Sequence, residues 1–300
     1  MNKIAPIILF VYNRLLHTMQ TVDALKKNEL AAESDLIIYS DGPKKCNRDK
    51  IDEVRSYLKT INGFKSVRII HRSRNLGLSE SIITGVSEIT DEYGKAIIVE
   101  DDLVTSPYFL RYLNDALNVY EDDCRVFNVH AYMYPIETTP PETLFFRASG
   151  CWGWGVWKRS WSFFEKDGEK LLKQLKQRKL LYKFNLEGNY PYSKMLKNQI
   201  KQKGASWDIR WYATLMVHNG LSLWPGKSLV KVIGHDGSGT NCHSTNDFAV
   251  DLWQEPIFVK KIDVIEDKKT EAAIASFHAS IKPSFVSRLK EIILRFSKIN

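Results

Sequence analysis

Cysteine is scarce in this 300-residue chain: Cys46, Cys124, Cys151 and Cys242 are widely separated and form no C-x-x-C pair. That spacing argues against a zinc ribbon or finger and for free thiols in a reducing compartment. Long apolar runs are missing too. No stretch reaches the ~18 residues of a membrane span. The short run Ile4–Tyr12 contains Pro6 and meets Asn13 and Arg14 with no small-residue cleavage site between, so it does not read as a signal peptide and a cytoplasmic location is expected. Acidic residues are outnumbered, 35 Asp and Glu against 43 Lys and Arg, and the resulting charge of +8 favours anionic partners. Internal repeats, low-complexity segments and an obvious linker are absent, while 44% apolar content supports one large core.

What is present begins with alternation. Ile7–Tyr12, Asp35–Asp41, Ser66–His71 and Lys95–Val99 read as strands, and Thr18–Leu30, Asp49–Ile61 and Ser79–Tyr93 carry helical spacing of apolar residues. Strand, helix, strand in this rhythm predicts an α/β fold with a Rossmann-like, mostly parallel central sheet flanked by helices. In such sheets functional residues gather at the carboxyl ends of the strands. Those ends deliver Tyr12-Asn13-Arg14, Asp41-Gly42, the segment His71–Gly77, and Glu100-Asp101-Asp102. Three adjacent carboxylates repel one another. A divalent cation relieves this, since Mg²⁺ and Mn²⁺ take one or two carboxylates and leave positions for phosphate and water; the plain alternative is a solvated strand end.

The second half differs in texture. Seven of eight tryptophans lie within Trp152–Trp224, with glycine-rich turns at 150–155 and 234–239 and polar, basic helices predicted over Asp167–Lys183 and Tyr192–Gly204. Trp152-Gly153-Trp154 suits a sugar platform, because aromatic faces meet sugar C–H groups and glycine admits a ligand close to the backbone; the alternative is a tight turn with core tryptophans. Ile233–Asn241 reads as a mobile loop able to wrap a diphosphate, with His235 placed to complete a metal shell or meet a phosphate. At the end of the chain, Phe285, Leu289, Ile292, Ile293 and Phe296 share one helical face with cationic flanks. Such a helix fits an anionic membrane surface, this protein's own core, or a second subunit.

Val99-Glu-Asp-Asp-Leu103, preceded by Arg74-Asn-Leu-Gly77 and followed by Trp152-Gly-Trp-Gly155, resembles nucleotide-sugar glycosyltransferases of the GT-A fold. The likeness is greatest to the inverting N-acetylglucosaminyltransferase I type, whose D-x-D motif takes the form Glu-Asp-Asp. It covers about residues 4–240 and rests on the ordered combination of short motifs. It implies Mn²⁺ or Mg²⁺ as cofactor, with Asp102 touching the metal while Glu100 and Asp101 bind sugar or ribose and order the metal's waters. Tyr12, Asn13 and Arg14 would meet the nucleotide, and Asp41 the base or ribose. Asn75 and Gly77 would shape the loop beside the base or diphosphate, and Arg74 would meet a phosphate. For Asp41 a turn-forming Asp-Gly is the alternative, and for Gly77 a plain turn before an N-capping Ser79.

Inverting transfer needs a carboxylate base on the acceptor side. Glu165, Asp167, Glu187, Asp208, Asp236 and Asp247 compete for that role. Asp208 is favoured because Ser206-Trp207-Asp208-Ile-Arg-Trp211 is similar to the family's Trp-Asp-Asp-Trp-like stretch, with Trp207 on the acceptor side; here Ile209 and Arg210 stand where a further acid is more usual. A helix N-cap is the alternative for Asp208.

The resulting expectation is a metal-dependent inverting hexosyltransferase, with residues 1–130 binding the donor, a UDP-sugar, 131–275 binding a glycan or lipid-linked acceptor, and 276–300 forming the basic amphipathic helix. Surface polysaccharide assembly at the inner face of the cell membrane fits this reading, and nucleic acid is not among the expected partners. A sugar nucleotidyltransferase fits less well, because the first strand leads into Tyr12–Leu16 without a glycine. A non-catalytic glycan- or anion-binding protein would not need the acidic trio.

Overall fold

The computed structural model describes residues 3–44, 47–202, 206–239 and 244–281. The predicted amphipathic face Phe285–Phe296, the last residues of the glycine-rich loop, the end of the predicted helix at Gly204, and Cys46 and Cys242 lie outside the described residues. The first half alternates as expected: β1 (Ile7–Val11), α1 (Leu15–Lys26), β2 (Asp35–Ser40), α2 (Arg48–Leu58), β3 (Ser66–His71), α3 (Leu78–Tyr93) and β4 (Lys95–Glu100). The chain continues through β5 (Leu103–Thr105), α4 (Phe109–Val119), β6 (Val126–His130), β7 (Thr143–Phe146), β8 (Trp154–Trp157) and α5 (Lys158–Trp161). It ends with α6 (Gly168–Gln177), α7 (Leu181–Phe184), α8 (Tyr192–Gln202), α9 (Asp208–Val217), β9 (Leu221–Pro225), β10 (Val230–Val232) and α10 (Lys268–Ser280).

Eight strands form one sheet in the order β3-β2-β1-β4-β8-β6-β9-β7. The β3-β2-β1-β4 half is parallel throughout, as is the β6-β9 pair, whereas β8 runs antiparallel to both its neighbours. Continuous apolar runs place β1 and β4 at the centre, because side chains alternate between two covered faces. Ile7, Leu9 and Val11 join Leu36, Ile38, Ile97 and Val99 in one core, with Val22, Val54 and Leu113 from the helices beneath. Ile8 and Phe10 join Ile37, Tyr39 and Ile98 in the other, beside Ile82 of α3 and Trp207 and Trp211 at the start of α9. A third core gathers α6, α8, α9 and α10 over the far end of the sheet, around Phe146 and Trp224.

Three local expectations change. The predicted helix Asp167–Lys183 breaks into α6 and α7 at Lys179, whose φ is 57°. Helix α3 starts at Leu78 with Gly77, at φ 77°, in the N-cap position; Ser79 is inside the helix and accepts a hydrogen bond from Arg210 Nη2 at 2.6 Å instead of capping. Trp154-Gly-Val-Trp157 is a central strand, not a loop. Among the described residues no helix is long and apolar enough to cross a membrane.

Candidate active site

Parallel pairing sets Phe10 opposite Glu100, so the residues after β1 and the acidic trio emerge side by side. Arg14, two residues beyond Tyr12, turns its guanidinium onto both aspartates: Nη2 binds Asp101 Oδ1 and lies 2.8 Å from Asp102 Oδ2. The backbone N–H of Tyr12 also donates to Asp101 Oδ2, at 3.4 Å. Repulsion within the trio is thus relieved by a residue that the sequence assigned to the nucleotide. Burial opposes the charge on Arg14, but Asp101 and Asp102 outweigh it and hold the guanidinium firmly protonated. Burial raises Asp101, with Arg14 pulling the other way. Glu100 is pushed well up, first by burial and then by the charges of Asp102 and Asp101.

Strand β10 pairs with β5 and carries the following loop back over the trio, where Ile233 N–H donates to the Asp102 carbonyl at 2.9 Å. Gly234 is required there: a Cβ would stand 2.0 Å from Asp102 Oδ2. The next residue, His235, sets its ring against Trp152 and Phe248, with centroids 5.5 and 5.6 Å away. The expected Asp102 and His235 metal pair is therefore not assembled as a cage; among the described residues no group of three His, Cys, Asp or Glu is arranged to hold a metal. Two adjacent hard carboxylates still fit a divalent ion that completes its shell with phosphate and water, provided Arg14 yields part of its grip.

The Asp41 carboxylate, expected at the base or ribose, is turned to the protein. Oδ1 accepts from Gly42 N–H and Leu76 N–H at 2.8 and 2.9 Å, and Oδ2 from Asn75 Nδ2 and Gly77 N–H at 3.0 and 2.9 Å. All four of its acceptor positions are filled, so Asp41 organises the loop that carries Arg74, Asn75 and Gly77. Gly42 lets the two loops touch, since a Cβ would lie 2.2 Å from the Arg74 carbonyl carbon. Arg74 is exposed and Asn13 half-buried at this mouth.

The tryptophans divide. Trp154 and Trp207 are 0% and 3% exposed and stack on each other at 5.2 Å within the core, so neither is a sugar platform. Gly153 serves packing: its φ is 71°, and a Cβ would press on Phe109 at 2.8 Å. Trp152 alone of these three tryptophans is half-exposed, in an aromatic cluster with Tyr132, His235 and Phe248.

Asp208 opens α9 without capping it; its side chain instead accepts a hydrogen bond from Ser149 Oγ at 2.9 Å. Burial raises its pKa to about 6, against the opposing pull of Ser149. Its charge reaches Glu100, which ties it electrostatically to the trio. Ser149 and His130 were not singled out from the sequence. His130 is buried; its Nε2 accepts from Gly150 N–H at 3.1 Å and lies 2.9 Å from Asn128 Nδ2, fixing the turn that presents Ser149. Burial drives His130 down to about 3, so it stays neutral. An Asn and a His two apart in the apolar strand Val126–His130 were the available signal, because they share one face of it.

The sheet is covered on both faces, and its strand ends gather acids, an arginine and the loop that carries Asn75 and Gly77. Residues 7–188 match the family described as Glycosyl transferase family 2, and with more than half its length matched the chain belongs to that family. No curated protein sequence matches the chain. Among solved structures it is similar to the mannosyltransferase PcManGT from Pyrobaculum calidifontis in complex with GDP-Man and Mn²⁺, at 12% identity and a TM-score of 0.36 over 57% of this chain and 46% of that one. It is also similar to residues 1–349 of S. aureus TarS, at 12% identity and 0.43 over 75% and 59%. Mouse xyloside xylosyltransferase 1 in its apo form matches at 11% identity and 0.37 over 71% and 81%. The chain spans about half the length of the first two.

Proposed function

We propose that the protein transfers a sugar from a nucleotide-sugar donor, a UDP-sugar, to a hydroxyl of a glycan or lipid-linked acceptor, with inversion at the anomeric carbon. The observation that carries this reading is Asp208: a carboxylate held by Ser149, with a pKa of about 6, within electrostatic reach of the trio at the strand ends. A base with a pKa near neutrality is well matched to proton transfer at physiological pH. Asp208 takes the proton of the acceptor hydroxyl as its oxygen bonds to the anomeric carbon, and the bond from that carbon to the donor's diphosphate oxygen breaks on the opposite face. Glu100 and Asp101 orient sugar or ribose. The loop around Asn75 and Gly77, held by Asp41, seats the diphosphate side, with Arg74 at its mouth, and Tyr12 and Asn13 border the base. Trp152 offers the acceptor an aromatic face.

Asp102, with Asp101 beside it, would hold Mn²⁺ or Mg²⁺, which supplies Lewis-acid stabilisation of charge on the diphosphate. Arg14 pairs with both aspartates until then. The reading extends to hexosyl transfer in surface polysaccharide assembly at the cytoplasmic membrane face, with residues 1–130 serving the donor, 131–275 the acceptor, and 276–300 available for the membrane. The test is a screen of UDP-, GDP- and dTDP-sugars with Mn²⁺, read as nucleotide release and confirmed by calorimetric donor binding. Absence of both release and binding with every donor, with and without metal, sinks the proposal.

A further inference from the structure

Helices α6 and α8 lie against each other and enclose a trough of about 500 Å³. Its floor is apolar, from Leu172 and Ile200, and its walls carry Lys173 and Lys176 from α6 and Lys197 and Lys201 from α8, against the single acid Glu169. The spacing explains the alignment, since residues three or four apart share a helix face. Nearby cations are neutralised: Lys170 pairs with Glu165 at 2.5 Å and Lys166 with Glu80 at 3.5 Å. By contrast, among the described residues none of the four trough lysines has an ion-pair partner. Four like charges facing one another across a groove raise its positive potential, a cost that an anionic ligand would relieve.

The trough adjoins a second cavity of about 540 Å³, and the two share Glu169 and Ile200. This second cavity reaches Leu76 and Gly77, in the loop organised by Asp41, and Arg210 in the first turn of α9. Its charges are mixed, Lys166 and Arg210 against Glu80, Asp167 and the shared Glu169. A path therefore runs from a cationic trough to the edge of the candidate site. Concavity and continuity with the site suit a chain-like ligand rather than a flat bilayer.

We propose that the α6–α8 trough binds the negatively charged part of the acceptor, a glycan chain bearing carboxylates or phosphates, with its reacting end directed past Gly77 toward Asp208. The proposal rests on the transferase reading for the word acceptor, but binding can be measured without turnover. The experiment uses the full chain and the variant K173Q/K176Q/K197Q/K201Q, whose substitutions are all on exposed positions. Fluorescence titration is run with three oligomers: a hyaluronan octasaccharide, a glycerol-phosphate octamer and a neutral chitin oligosaccharide. Phosphatidylglycerol and phosphatidylcholine vesicles form a further arm, and metal-dependent hydrolysis of the donor without acceptor is followed in parallel. At least one anionic oligomer binds the unmodified protein, more weakly as salt rises, and the variant loses at least about tenfold in affinity. Tm and donor hydrolysis stay unchanged. The two anionic oligomers separate carboxylate from phosphate recognition. Equal affinity of variant and parent, no binding of either anionic oligomer, or loss confined to phosphatidylglycerol vesicles overturns the proposal. Absent donor hydrolysis with trough binding intact counts against the transferase reading alone.

Discussion

Ser149 Oγ donates to Asp208 Oδ1 at 2.9 Å, and this hydrogen bond opposes the burial that lifts Asp208 to about 6. If Asp208 is the base, the rate at low substrate rises with pH through about 6 as the carboxylate ionises. Ser149→Ala removes the stabilising hydrogen bond, worth ~1.5 kcal/mol to a charged group, and moves that acid limb up by roughly one pH unit. Asp208→Asn lowers the rate ~10²–10⁴-fold while donor affinity is retained. A full rate in Asp208→Asn removes Asp208 from the chemistry.

The same group makes a stability prediction of opposite sense. Asp208 titrates near 3.8 when unfolded and at about 6 when folded. The folded state then binds the extra proton between those values, so stability is lost as pH rises through the window. Asp208→Asn should therefore stabilise the protein at pH 7.5, by up to ~3 kcal/mol, and much less at pH 4.5. Urea midpoints at the two pH values test this; a destabilised variant at pH 7.5 would contradict it.

Arg14 binds both Asp101 and Asp102. Arg14→Met leaves two largely buried carboxylates without their cation and should cost ~3 kcal/mol in the absence of metal. A divalent ion can replace that charge, so Mn²⁺ should raise the Tm of the variant more than that of the parent. Differential scanning fluorimetry across a Mn²⁺ titration decides it, and equal metal responses would show that the aspartates do not share their ligand between Arg14 and a metal.

The two tryptophans of the Trp152-Gly-Trp154 turn should behave differently. Trp154→Ala opens a void beside Trp161 and Trp207 and should cost ~3–5 kcal/mol. Trp152→Ala, at a half-exposed ring, should change the Tm little and raise the acceptor KM. Similar thermal losses in both variants would place Trp152 in the core as well.

The first half was legible because its apolar runs and helical spacing are local signals; Ser66–His71 matches β3 residue for residue. Strand β8 was not. Gly155 between Trp154 and Trp157 looks like a turn in isolation, and the segment is extended because β4 and β6 leave it a slot, where Leu117 packs tightly on Gly155. The trio is visible by its charge, but its pairing with Arg14 is not, since a contact across 87 residues leaves no trace in spacing. Ser149 escaped for the same reason: its meaning comes from Asp208, 59 residues later. At Asp41 the sequence shows an Asp-Gly pair but not whether its acceptors face a ligand or a loop; in the structure they face the loop.

Placing β8 between β4 and β6 has a consequence for biogenesis. As the chain emerges from the ribosome, β1, β2, β3 and β4 can zip up in order, yet the outer edge of β4 stays unpaired until Trp154–Trp157 has been synthesised. That edge is wholly apolar along Ala96–Val99, the type of exposed strand that recruits other chains. A nascent chain stalled before residue 154 is therefore the aggregation-prone species, and slow translation of the tryptophan-rich segment would lengthen the interval during which a chaperone has to shield it.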